Sequence, residues 1–243
     1  MKLKIMSLNI HKGFNWNNTK STISEIKSFL EENNPDLVFL QEVVGENKKN
    51  AKKYSQFMSQ QFEFLADGLW HEYAYAKNAV YDGRHHGNVT LSKYPITTQA
   101  QIDISTNKLE QRGILFCEIE AEGKKVHTYN VHLNLTHQGR KKQYSAISEV
   151  LKSNKSDDYP CIIAGDFNDW SRKATGSINP KLKDAHKTIH KKYAKTFPSF
   201  FPLFSLDRIY TQNFQVFRAD VLQCSTSAKI SDHLSLLIEG RIN

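Results

Sequence analysis

Cysteine is scarce in this 243-residue chain: the three are Cys117, Cys161 and Cys224, and none forms a CxxC pair. An odd count without pairing argues against a disulfide framework and against thiolate zinc sites. Each thiol lies in or beside an apolar, strand-like run, as in Leu115-Phe116-Cys117, so buried reduced cysteines of a cytoplasmic protein are the simplest account. Long apolar runs are missing too. Met1 to Asn9 is too short for a signal h-region, and no stretch approaches the length of a transmembrane helix. The histidines include no HExxH and no zinc spacing. No low-complexity linker and no sequence repeat divides the chain, so residues 1–243 are expected to form a single domain.

What is present is an ordinary globular composition, 39% hydrophobic and 24% charged, with a formal net charge of +8. A basic balance suits a polyanion such as nucleic acid, or an anionic membrane surface. Dispersed lysines also fit a generally basic protein with no such partner.

The pattern opens strand–helix–strand. Lys2 to Asn9 alternates as a strand; Ile23, Ile26 and Leu30 recur at helical spacing before Pro35; Leu37 to Leu40 is a buried strand ending at Gln41-Glu42. A second helix is expected over residues 50–61, with Tyr54, Phe57 and Met58 on one side. Then come a strand at Val89 to Ser92, a hairpin of Gly113 to Ile119 with Lys125 to Leu133 around Glu122-Gly123, and a helix from Gln138 to Leu151. Strands follow at Cys161 to Ala164, Leu206 to Tyr210, Phe214 to Cys224 and His233 to Ile238. Two stacked sheets with helices on their outer faces satisfy this order.

Polar groups recur where apolar strands end, the usual place for a scaffold to present reactive side chains. They are Asn9, Glu42, His132 with Asn134, Asp166 with Asn168, Asp207, and Asp232 with His233. In Gly165-Asp166-Phe167-Asn168 a glycine permits a sharp exit, and a carboxylate and an amide two residues apart face one side if extended. The carboxylate can orient or deprotonate water and the amide can donate to a phosphate oxygen; an Asx-rich turn is the plainer alternative. Asp207, flanked by apolar residues, needs a partner if buried, and a histidine such as His233 suits it. Glu42 at a strand end suits a hard cation such as Mg²⁺. His85-His86, adjacent and divergent if extended, fit substrate contact or simple loop solvation.

Ser7-Leu8-Asn9, Leu40-Gln41-Glu42, Val131-His132-Leu133, Gly165-Asp166-Phe167-Asn168 and Ser231-Asp232-His233 occur in the order that resembles the endonuclease/exonuclease/phosphatase superfamily, which includes DNase I, abasic-site endonucleases, neutral sphingomyelinases and inositol polyphosphate 5-phosphatases. Asn9-Ile10-His11-Lys12-Gly13-Phe14, Asn78-Ala79-Val80-Tyr81, His85-His86-Gly87-Asn88 and Thr196-Phe197-Pro198 look like a small uncharacterised bacterial branch of it. The resemblance implies a DNase I-like α/β fold, a four-layer α/β/β/α sandwich of two packed mixed sheets with outer helices. It implies Mg²⁺ or Mn²⁺ as cofactor, with Glu42 the principal metal ligand, Asn9 nearby through water and Asp232 supporting the metal region. Asp166 would orient or deprotonate the attacking water, Asn168 and His132 would bind the scissile phosphate, and His233, held by Asp207, would stabilise the transition state. Arg140 and Arg112 are further phosphate candidates because arginine forks match phosphate geometry. Asn88 and His86 join them.

The expected activity is metal-dependent phosphoester hydrolysis, with nucleic acid the favoured substrate. Phospholipid head groups or a small phosphorylated metabolite are the alternative, and a non-catalytic binding module is a third reading. The aromatic loop from Phe197 to Phe204 bears on the lipid alternative, since exposed aromatics beside basic residues touch bilayers. The expectation for that loop is nevertheless a segment packed over the sheet edge.

Overall fold

A computed structural model describes residues 1–53, 57–172, 174, 176–224 and 230–242. In chain order the first half holds β1 (Lys2–Asn9), α1 (Ile23–Asn33), β2 (Leu37–Asn47), α2 (Lys48–Lys53), α3 (Gln61–Ala66), β3 (Glu72–Tyr81), β4 (Arg84–Ser92) and β5 (Ile96–Asp103). The second holds β6 (Gly113–Ala121), β7 (Lys124–His132), α4 (His137–Ser153), β8 (Cys161–Asp166), β9 (Lys183–Asp184), α5 (Ala185–His190), β10 (Asp207–Gln212), β11 (Phe214–Leu222) and β12 (Ser235–Ile242). One six-stranded sheet runs β11-β12-β1-β2-β4-β3 and the other β5-β6-β7-β8-β10-β9. Each has a parallel pair at its centre, β1 with β2 and β7 with β8, and antiparallel neighbours elsewhere. Both sheets are therefore mixed, and the DNase I-like sandwich implied by the motifs is the observed architecture.

The period of two along each strand builds the layers. Leu3, Ile5, Leu37 and Phe39 join Leu115, Cys117, Ile162 and Ala164 in the core between the sheets. Their neighbours Met6, Leu8, Val38 and Leu40 point the other way, onto Ile23, Ile26, Phe29 and Leu30 of α1. On the far side Ile114, Phe116, Val131 and Ile163 meet Tyr144, Ile147 and Leu151 of α4. Each Leu, Ile, Val, Phe or Met side chain removed from water here contributes about 1.5–3 kcal/mol, and alternation lets one strand serve two cores.

A buried amide cluster ties the sheets together. Asn130 of β7 accepts from Gln41 Nε2 at 2.8 Å and donates to the carbonyls of Leu40 (3.1 Å) and Val89 (2.7 Å) across the seam. Asn88 Nδ2 donates to Gly113 O (3.3 Å) and Asn130 O (3.2 Å).

The helix expected over residues 50–61 is not one helix. Helix α2 ends at Lys53, Gln60 takes a left-handed φ of 51° and α3 begins at Gln61; Phe57 and Met58 lie between them as irregular, half-buried chain. Tyr54 lies outside the described residues. Strands β3 and β5 and helix α5 had no counterpart in the sequence reading. Among the described residues no helix is long and apolar enough to cross a membrane.

Candidate active site

Parallel pairing aligns strand ends. The pairing of β1 with β2 ends with Asn9 beside Gln41, and β7 and β8 finish together, with His132 beside Asp166. β10 runs antiparallel to β8 and begins at Asp207, opposite Asp166. The seam between the sheets thus collects side chains from residues 9 to 233 at one end.

The backbone is forced into unusual shapes there. Gly165 has φ 142°, and a Cβ on it would sit 1.9 Å from Val131 O, so only glycine lets β8 approach β7. Glu42 (φ 58°) lies within a register shift of β2, and Asn168 (46°), His11 (48°) and Lys12 (58°) are also left-handed. Non-glycine residues in this region cost about 1–3 kcal/mol each and gather at working sites.

Asp166 is the hub. Its Oδ2 accepts from Asn9 Nδ2 at 3.2 Å and its Oδ1 from the Asn168 backbone N–H at 2.9 Å. The Nε2 atoms of His132 and His233 stand 3.5 and 3.8 Å from Oδ2. Burial pushes the Asp166 carboxyl up to about 6, against the pull of His233 and with the push of Asp207. His233 Nδ1 meets Asp207 Oδ2 at 2.9 Å, and Thr196 Oγ1 donates to the same oxygen at 2.5 Å. Burial disfavours a charged imidazole, but the Asp207 carboxylate, then Asp166 and Asp232, raise His233 to about 10. His132 is driven well below its usual range by burial and by Arg112, so it is a neutral imidazole. His86 falls to about 4, again chiefly through burial.

Glu42 lies on the other wall. Burial opposes its ionisation, yet Lys12, His132 and His86 together hold its carboxyl far below the normal range. Its Oε2 is 2.8 Å from Lys12 Nζ and has no hydrogen-bond partner of good geometry. Asp232 meets His11 Nδ1 at 3.8 Å and Ser231 Oγ at 3.3 Å. A half-buried carboxylate held ionised, with an under-satisfied oxygen already facing a cation, fits a hard divalent ion. Asp166, Asp207 and His233 form a second group able to hold a metal, their ligand atoms all within 4.8 Å of one another.

Residues 6–233 match the family model described as "Endonuclease/Exonuclease/phosphatase family". The chain belongs to this family. It is 36% identical over 241 residues to "Uncharacterized protein YbhP" of Escherichia coli K12, covering 97% of this chain and 95% of that one. An endonuclease/exonuclease/phosphatase structure from Beutenbergia cavernae superposes with a TM-score of 0.84 at 18% identity, covering 100% of this chain and 72% of that one. A Bacteroides thetaiotaomicron mannosyl-6-phosphatase gives 0.74 at 18% identity, over 98% and 99%. Membership of the endonuclease/exonuclease/phosphatase family supports an enzyme that hydrolyses phosphoesters, and family enzymes commonly use divalent metals.

Within the family fold the anticipated residues sort into three groups. Asn9, His132, Asp166, Asn168, Asp207 and His233 converge, and Glu42, His86 and Arg112 share one electrostatic field with His132. Arg112 is tethered by Leu133 O (3.2 Å) and Glu110 (3.0 Å). Arg140 and Asn88 need correction. Arg140 is 2% exposed and its Nη1 donates to the carbonyls of Asn134 and Leu135 at 2.9 and 2.5 Å, and the Nδ2 of fully buried Asn88 serves the seam, so both side chains are held in the interior by backbone contacts. Lys12, Thr196 and Gln41 stand in the motifs above without a role drawn from sequence, and Asn130 in none; a polar residue inside an otherwise apolar strand is the signal that marks Asn130.

Proposed function

We propose that the protein is a metal-assisted phosphodiesterase, a single domain acting in the cytoplasm, in which water attacks phosphorus. The observation that carries this reading is Asp166 beside the Asp207–His233 pair: a buried base near neutrality next to an imidazolium. Asp166 takes a proton from water as its oxygen bonds to phosphorus and the bond to the leaving oxygen breaks. His233, kept charged by Asp207, faces the negative charge that grows on the phosphoryl oxygens. His132 Nε2 and the second amide N–H of Asn168 are donors for the same oxygens; the first holds Leu133 O at 3.0 Å. Glu42, with Asn9 and Asp232 around it, would hold Mg²⁺ or Mn²⁺, which would withdraw electron density from a phosphoryl oxygen. The test is turnover of bis-p-nitrophenyl phosphate with Mg²⁺ or Mn²⁺: activity that disappears in Asp166→Ala is expected, and an Asp166→Ala protein as active as the parent overturns the reading.

The net charge of +8 suits a polyanion, nucleic acid or an anionic lipid surface alike. Cleavage of DNA or RNA that weakens steeply with salt is the result expected of the first, and intact substrates under several metals would remove it.

A further inference from the structure

The loop from Phe197 to Phe204 does not pack down over the sheet edge as its sequence suggests. Trp16, Trp170, Phe200, Phe201, Leu203 and Phe204 are 42% to 63% exposed. They form one patch: Trp16 lies 5.2 Å from Phe200, and Trp170 lies 4.9 Å from Phe204 and 5.9 Å from Phe197. The patch borders the site, because the Phe197 ring is 4.9 Å from the His233 ring. Three segments build it, residues 11–22, 170–172 and 195–206, and their charged residues, Lys12, Lys20, Arg172 and Lys195, are all basic. Lys12 and Lys20 are paired with Glu42 and Glu25, whereas Arg172 and Lys195 stand exposed.

We propose that this aromatic rim docks on an anionic lipid bilayer, and that the phosphoester cut at the site is carried by a lipid head group. The proposal rests on the phosphoester-hydrolase reading above and names its substrate class. Exposed apolar clusters of this kind mark interaction surfaces. Phenylalanine and leucine gain by entering the acyl boundary, tryptophan settles at the head-group level, and nearby cations are drawn to anionic lipid. A second copy of the chain is the poorer occupant, since a two-fold contact would set basic segments against themselves. Nucleobases are poorer as well. Trp170 stands at 84° to Phe197 and 63° to Phe204, ring edges against faces, rather than as open stacking platforms.

The experiment is flotation with vesicles of phosphatidylcholine alone or mixed with phosphatidylglycerol. The wild type should rise with the anionic vesicles, and the Phe200→Ser/Phe201→Ser double variant should bind them at least about ten-fold more weakly. Hydrolysis of bis-p-nitrophenyl phosphate and the far-UV spectrum should be unchanged in that variant. Independently of any variant, Trp16 and Trp170 emission should shift to the blue on anionic vesicles, since the third tryptophan, Trp70, is already 3% exposed. A wild type that ignores anionic vesicles, or a double variant that floats equally well, overturns the proposal. So does an oligonucleotide that quenches the exposed tryptophans and binds the double variant more weakly while vesicles do nothing. Retained turnover without flotation removes the bilayer and leaves the hydrolase; flotation without turnover under Mg²⁺ or Mn²⁺ removes the head-group substrate together with the hydrolase.

Discussion

His233 and Asp207 are joined by a 2.9 Å contact between Nδ1 and Oδ2, which leaves the imidazole Nε2 3.8 Å from Asp166. The contact fixes the ring orientation and holds a proton on a buried histidine. His233→Ala should lower kcat by about 10²–10³-fold with little change in KM, as loss of a donor used only in the transition state does. Steady-state kinetics on bis-p-nitrophenyl phosphate decide it; a variant altered only in KM contradicts the role.

Asp166 and His233 together set a pH profile. Asp166 must be ionised to accept a proton, so the rate should rise as pH passes about 6. His233 must be charged, so the rate should fall as pH passes about 10. Asp207 opposes the burial that would neutralise His233, so Asp207→Asn should move the alkaline limb to lower pH. A pH–rate series of parent and variant reads both limbs; an unmoved alkaline limb refutes the assignment.

Glu42→Gln keeps the shape of the carboxyl and removes its charge. The metal concentration for half-maximal activity should rise at least about ten-fold. Mg²⁺ should also raise the melting temperature of the parent more than that of the variant, because only binding to the folded state stabilises it. Equal thermal shifts would place the metal elsewhere.

Gly165→Ala should destabilise the fold by about 2–4 kcal/mol, since its Cβ would overlap Val131 O and its φ of 142° is strained for alanine. A urea midpoint near that of the parent would show that the strands can part at no cost.

Asn130→Ala removes three hydrogen bonds from the seam. Its cost should be about 2–4 kcal/mol, because the amide of Gln41 and two carbonyls lose a buried partner. Activity should also fall well below the melting temperature, as Glu42 and Asp166 belong to opposite sheets. Denaturant unfolding and kcat measured on one preparation separate the two effects.

The sequence made the buried elements legible because burial writes a period. β1, the β6–β7 hairpin and α4 alternate or repeat against a core, β8 is a short run buried on both faces, and the acids and amides at their ends follow from that. β5 was illegible for the opposite reason: at the edge of its sheet nearly all of its residues are exposed, so Ile96 to Asp103 carries no apolar alternation. The stretch expected as one helix has apolar residues at helical spacing, but α2 ends at Lys53 and Gln60 enters α3 in a left-handed conformation, neither of which spacing encodes. Lys12 beside Glu42, and Asn130 between the sheets, are pairings over long sequence separations that only the packing of two layers creates. Arg140 looked like a phosphate ligand by residue type; its place beneath the Asn134 turn is a matter of which helix face turns inward.

Glu42 and Asn168 occupy backbone conformations where glycine would sit more comfortably. Under the proposed mechanism it is the reaction, rather than backbone comfort, that retains these two side chains. A descendant that had abandoned chemistry would be free to relax at positions 42 and 168. Glycine there in a related chain would mark a retired enzyme before any assay was run.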